Sequence, residues 1–184
     1  AMWMPSAVKH YEEKPEDKRF YQQGNAFISA LMIIFGAAVV LFKDLFVLLL
    51  GAEYHEASKI IPFLMFEPIM YTVSETTATG IVVQKKSAYQ LAVAGISCLI
   101  IFIGNTMLTP LLGPQGAAIS TGISYIVFFA LRTHLANKVF YVDYKLSRFG
   151  ASTIALLIFA IYGSFHSFSI IQVAMFLAVT VITL

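Results

Sequence analysis

Residues 57–82 read ASKIIPFLMFEPIMYTVSETTATGIV, a helix-length apolar stretch interrupted by Pro62 and Pro68 and carrying two carboxylates, Glu67 and Glu75. As one helix it would be about 39 Å long, enough to cross a hydrocarbon core of roughly 30 Å with tilt or an interfacial lead-in. An ionisable side chain at that depth is costly and normally faces a cavity or a partner. Each proline removes a backbone donor, which a membrane tolerates only where neighbours or water satisfy the freed carbonyl. A membrane helix that is both breakable and charged points to a protein that moves something.

The rest of the chain supports a lipid setting. Its 184 residues are 59% hydrophobic and 12% charged, with a mean hydropathy of +0.80. Soluble domains carry about 25% charged residues, so this composition excludes a soluble core. A net charge of +2, with no long basic cluster, argues against a nucleic-acid-binding face. Cys98, the single cysteine, lies in an apolar run and reads as a small packing residue. A spanning helix needs ~20 apolar residues, and six stretches qualify: 25–42, 57–82, 89–112, 116–135, 149–165 and 168–184. The first has a possible continuation through Lys43 and Asp44 to Leu50, and Met2 to Val8 reads as the tail of a preceding helix. The expected fold is an all-α, polytopic membrane helix bundle.

Charge in the connections tests this map. Ten of the twelve basic residues fall in three alternate connections: Lys9, Lys14, Lys18 and Arg19; Lys85 and Lys86; Arg132, Lys138, Lys145 and Arg148. Only Lys43 and Lys59 fall on the opposite side. The positive-inside rule therefore places 10–23, 84–88 and 137–148 in the cytoplasm. Acidic residues interleave in the first of these loops, as in an ordinary solvated connection. The chain opens on Ala1 without a signal-peptide pattern and stops at Leu184 inside an apolar run. The expectation is one transmembrane lobe over 1–184 with further helices on both sides.

Catalytic constellations are absent from the sequence. His10, His55, His134 and His166 are scattered without metal-site spacing, and no phosphate loop, nucleophile elbow or cysteine pair occurs. Tyr54, His55 and Glu56 read as an interfacial cluster. Neither an enzyme nor a cofactor site is expected. Glu67 and Glu75 lie about 80° apart around a helix and about 12 Å apart along it, so with Tyr71 and Thr72 they share one broad face. Two readings stand for each carboxylate. One is a cavity residue that binds protons, cations or polar substrate groups. The other is a bundle residue, with Glu75 leaning toward Lys85 or Lys86. Asn105 reads as interhelical glue or a cavity residue, and Arg132 as an interfacial anchor or a phosphate-headgroup contact. Gly116, Ser120 and Ser124 recur every four residues, as do Ala118 and Gly122, and so allow close backbone approach.

An ordered set of residues then carries a resemblance. Gly51, Tyr54, Ala57 and Ile60-Ile61-Pro62 open the second span, and Gly80, Lys85 and Lys86 end it. Gly104-Asn105 and Pro110 close the third, and Gly113-Pro114-Gln115-Gly116-Ala117-Ala118 turns into the fourth, followed by Ser124-Tyr125. This order resembles the C-terminal half of polysaccharide-biosynthesis flippases in the multidrug/oligosaccharidyl-lipid/polysaccharide exporter superfamily, over nearly the whole chain. The resemblance implies a two-lobed, alternating-access transporter of lipid-linked saccharide in the cytoplasmic membrane of a bacterium or archaeon. Its partners would be the lipid-linked saccharide, the bilayer and an N-terminal lobe of the same protein, and not nucleic acid. Family cavities are often cationic, whereas the ionisable groups of the second span are acidic. Competing readings are a cation-coupled drug or metabolite antiporter with Glu67 or Glu75 as coupling carboxylate, a membrane polysaccharide polymerase or acyltransferase, and a non-catalytic scaffold.

Overall fold

Tyr21, Asn25, Ser29, Ile33 and Ala37 recur every four residues and are all buried, forming one ridge along the first long helix, α2 (Arg19–Leu41). A ridge of this kind packs into the grooves of neighbouring helices. Phe27, Leu31 and Phe35 lie on the opposite, exposed side, as a lipid-facing surface requires. In this computed structural model residues 3–51 and 56–184 are described. Tyr54 and His55 of the expected interfacial cluster, and Met2, lie outside them. The described residues are all-α, in ten helices joined by short connections.

Before α2 comes α1 (Trp3–Glu13), which packs against α5 and α6. The first span does not run on through Lys43 and Asp44 as one helix. It stops at Phe42, and a separate helix, α3 (Lys43–Leu50), begins at once. The turn lets Lys43 sink beside Gly163, and Asp44 is drawn into two interactions. One Asp44 oxygen takes a hydrogen bond from Lys43 Nζ at 2.7 Å, and the other takes one from the Phe168 backbone N–H at 2.8 Å.

The second span is three helices: α4 (Ala57–Leu64), α5 (Phe66–Thr77) and α6 (Thr79–Val83). The two breaks have different causes. Pro68 has no N–H to give the Leu64 carbonyl, and its ring crowds that carbonyl, so α4 gives way to α5 at Met65. The break at Ala78 contains no proline. Just before it, Ser74, Thr76 and Thr77 donate their hydroxyls back to the carbonyls of Tyr71, Val73 and Ser74, at 2.7, 2.7 and 3.1 Å. Side-chain bonds of this kind compete with the helix ladder and bend it.

Two long helices, α7 (Ser87–Leu112) and α8 (Pro114–Val139), form a hairpin about Gly113, whose φ of +59° favours glycine. The small-residue spacing on α8 sets its packing. A Cβ on Gly116 would collide with the Leu108 carbonyl, and a Cβ on Gly104 would come within 2.8 Å of Ser120 Cβ. Ser124 donates to the Ser97 carbonyl at 2.8 Å. The other face of α8 places Gly122 against the Phe63 carbonyl of α4. Thus α8 is the central helix, with α7 on one side and α4, α5 and α6 on the other. By contrast α7 buries only Val93 and Ser97 and is apolar almost all round.

Next come α9 (Leu146–Phe165) and α10 (Ile170–Thr183), the latter capped by Ser169 accepting from the Gln172 N–H at 3.4 Å. They pack on α2 and complete a core in which Ile33, Phe66, Ile69, Met70, Leu156 and Phe159 are fully buried. Helices α2, α7, α8 and α9 are long and apolar enough to cross a membrane, against the six spans expected. The difference is physical: the second span is broken, and α10 has 14 residues.

The connections gather at two ends. At the basic end Ala7, Tyr21, Val142 and Tyr144 form a small core of their own, Tyr21 Oη donates to the Ala7 carbonyl at 3.0 Å, and Lys18 lies 5.7 Å from the Phe140 ring centre. At the other end Ser164 Oγ donates to the Lys59 carbonyl at 2.9 Å and accepts from Gln115 Nε2 at 2.8 Å. Charge-poor connections from three parts of the chain therefore meet each other and not the basic ones.

Candidate functional site

Helix α5 carries its polar residues in a strip, and the helix on which it packs, α8, answers them. Arg132 Nη1 of α8 donates to Glu75 Oε1 at 2.6 Å and to Ser74 Oγ at 2.8 Å. Ser74 Oγ in turn donates to the Tyr71 carbonyl at 2.7 Å, so the three groups form a directed chain. The Tyr71 and Phe128 rings stack at 6.1 Å, and the guanidinium carbon lies 6.0 and 5.5 Å from their centres. The Arg132 side chain is 6% exposed and the Glu75 side chain 33%. Arginine is thus the buried anchor, and the carboxylate is the half that meets the outside.

What Glu75 meets is a cavity of about 490 Å³ bounded by Trp3 and Met4 of α1, Ile28 of α2, and Tyr71, Thr72, Glu75 and Thr76 of α5. One wall is apolar and aromatic; the other presents a carboxylate, a phenol and the Thr72 hydroxyl. Such a chamber suits an amphiphilic occupant whose polar groups hydrogen-bond along α5. Behind it the bundle is stitched by further polar contacts. Asn25 Nδ2 donates to Thr76 Oγ1 at 2.6 Å, and the Thr77 and Thr133 hydroxyls share a hydrogen bond of 2.7 Å.

The sequence-selected residues separate here. Glu75 and Thr72 border one cavity, with Arg132 directly behind. Arg132 is buried inside the bundle, because the α8 face that carries it packs on α5. Glu75 is turned to Arg132, across the bundle, and Lys85 and Lys86 are exposed. Glu67 is not a wall of this cavity; it lies within hydrogen-bonding reach of Tyr125, two helical turns before Arg132 on α8. Both carboxylates of α5 are therefore held by α8, which runs parallel to it. Asn105 lies on α7, which packs on α8 and α6, and its Oδ1 is buried without a partner among the described residues. Trp3, Met4, Ile28 and Asn25 were not selected from sequence. Asn25 left a signal, being an amide on an otherwise well-packed helix ridge; Trp3 left one in Gly24, whose missing Cβ makes room for the indole. Among the described residues no group of three or more His, Cys, Asp or Glu is placed to hold a metal ion.

Fold and composition together define a multi-pass membrane helix bundle with an internal ion pair at the edge of a cavity. No protein-family model, curated protein or solved structure matches the chain.

Proposed function

We propose that this chain forms one lobe of a transporter that moves lipid-linked oligosaccharide or polysaccharide precursors across the membrane by alternating access. The observation that carries the reading is the Glu75–Arg132 pair, buried on its arginine side and open to a cavity on its carboxylate side. Charged pairs inside a membrane bundle are expensive and mark the path of a polar solute. The ordered residues that resemble the flippase half, from Ile60-Ile61-Pro62 to Ser124-Tyr125, supply the substrate class. On this reading saccharide hydroxyls bond Glu75 and Thr72, while the lipid tail remains in the bilayer.

On this reading motion is taken up at the ends of α5. Breaks at Met65 and Ala78 bracket α5, a rod of 12 residues that carries both carboxylates. Hinges at element ends of this kind absorb backbone rotation during domain movements. The partner against which α5 would rock is a second lobe of the same protein. By the positive-inside rule the basic end faces the cytoplasm.

The test is translocation of lipid-linked saccharide by the full-length protein in liposomes. Glu75→Gln is expected to slow translocation at least about tenfold, one charge-assisted hydrogen bond's worth, and Arg132→Gln likewise. Unchanged rates in both variants would remove the pair from the mechanism. Proton- or sodium-driven efflux of a dye, without saccharide movement, would favour the antiporter reading, in which Glu75 exchanges Arg132 for a proton or cation.

A further inference from the structure

Helices α8 and α9 both pack on α4 without forming a packed pair of their own. Toward the basic end the Phe129 and Phe149 rings join them, 4.8 Å apart, and at the other end Gln115 Nε2 donates to Ser164 Oγ at 2.8 Å. Between these bridges lies a cavity of about 370 Å³. Ile123 and Ile126 of α8 form one wall, Leu157 and Ile161 of α9 form the other, and the buried Phe63 and Phe66 close the floor. Both walls are accessible, since Ile123 is 48% and Ile161 46% exposed. Among the described residues Gln115 carries its only polar lining side chain.

The dimensions of this slot select its occupant. Gln115 to Ile126 covers about 16 Å along α8. Spread over that length, 370 Å³ gives a slot roughly 5 Å across. A helix with its side chains is about 10–12 Å across and cannot enter. A single hydrocarbon chain can, because its carbons meet neighbours at about 3.5–4.0 Å. Seated there, the chain restores the contacts that the walls of an empty slot forfeit.

At the Gln115 end the slot adjoins a small polar cavity of about 90 Å³, and Leu112 and Gln115 border both spaces. Glu56 and Lys59, at the start of α4, line this polar end, and Lys59 makes no ion pair among the described residues. Two neighbouring charges of opposite sign match a zwitterionic headgroup. The geometry points to a seat for one zwitterionic phospholipid, with an acyl chain in the slot between α8 and α9 and its phosphate against Lys59. The lipid belongs to the leaflet at the charge-poor end. The seat lies apart from the Glu75 cavity, whose walls are α1, α2 and α5, and it does not rest on the transport reading.

The test reconstitutes the full chain in vesicles containing phosphatidylethanolamine with a diazirine midway along one acyl chain, and maps the photolabel by mass spectrometry. Label is expected on the slot walls severalfold above the exposed face of α7. Ile123→Trp and Ile161→Trp add a ring that fills the slot, at positions exposed enough to accept it, and each should cut that label severalfold. Leu177→Trp, exposed on α10 outside the slot, should leave it unchanged. Diacylglycerol with the same diazirine chain should label the walls less than the phospholipid does, and Lys59→Gln should erase that difference. Label spread evenly over the slot and α7 would mean annular lipid only, and walls protected from label would mean that protein covers the slot. Either result would overturn the proposal. So would undiminished label in the two slot variants, an equal loss in Leu177→Trp, equal labelling by diacylglycerol, or a headgroup preference that survives Lys59→Gln.

Discussion

At the residue scale the weight of the site falls on Arg132, because its guanidinium is the deeper and more enclosed partner. Removing one partner of a buried ion pair leaves the other uncompensated, at about 3–5 kcal/mol. A single interhelical hydroxyl bond in a membrane protein contributes about 0.6 kcal/mol. Glu75→Leu should therefore destabilise the bundle several times more than Thr77→Val, which loses the interhelical bond to Thr133 and a bond to the Ser74 carbonyl of its own helix. Joint replacement, Glu75→Leu with Arg132→Leu, should recover most of the loss. Reversible unfolding in mixed micelles checks both, and equal costs for Glu75→Leu and Thr77→Val would show that the pair is not energetically dominant. Tyr144 supplies a pH dependence outside the spans. Burial, and then the neighbouring Tyr21, push its phenol above the ordinary value of 10.0. A raised phenol pKa means that the folded state holds the proton while the unfolded state has begun to lose it. Stability from this group is complete below about pH 10 and falls as pH rises beyond that. Tyr144→Phe should flatten the alkaline limb of a melting-temperature profile and leave neutral pH unaffected apart from a constant offset. An unaltered alkaline limb would exclude Tyr144 as its source.

Among the elements, α8 was the most legible in sequence and the second span the least. The spacing of Gly116, Ser120 and Ser124 and of Ala118 and Gly122 predicted two close-approach faces, and the structure uses one against α7 and the other against α4. Small residues reveal packing because lipid offers no competing reason to have them there. Pro68 likewise foretold the break at Met65, whereas Pro62 lies inside α4 without one. The Ala78 break was not legible, because a Ser or Thr hydroxyl bonds its own helix or a neighbour according to tertiary contacts that a single segment does not contain. The same limit hid the Glu75–Arg132 pair: composition showed a charge in a membrane, but residues 57 apart meet only through the α5–α8 packing. The hairpin makes a prediction at this scale. Gly116→Val puts branched carbon where the Leu108 carbonyl already touches, so α7 must move off α8. Gly150→Val, with nothing within 4 Å of its Cβ position, is the matched control. Cross-linking of cysteines placed across α7 and α8 should fall in the first variant and persist in the second. Persistence in both would show that the hairpin tolerates a wider separation.

For the whole molecule, the decisive quantity is which face of the bilayer the basic end occupies, because that orients the Glu75 cavity. Geometry gathers the connections at 14–18, 84–86 and 140–145 on one end, and those near Lys59, Pro114 and Ser164 on the other. This two-ended clustering comes from packing, independently of charge, yet divides the basic residues in the same way as the alternating pattern read along the chain. Positive charge is retained on the cytoplasmic side, so Lys86 should be inside and Pro114 outside. Both are exposed, and Pro114 stands at the first position of α8, where replacing proline costs no backbone hydrogen bond. In a Cys98→Ala background, Pro114→Cys should react with a membrane-impermeant maleimide on intact cells. Lys86→Cys should react only after permeabilisation. The reverse pattern would turn the basic end toward the outer surface. It would also place Glu75, which lies on the α6 side of α5, nearer the outer surface, so that a substrate entering from the cytoplasm would have to pass Glu67 first.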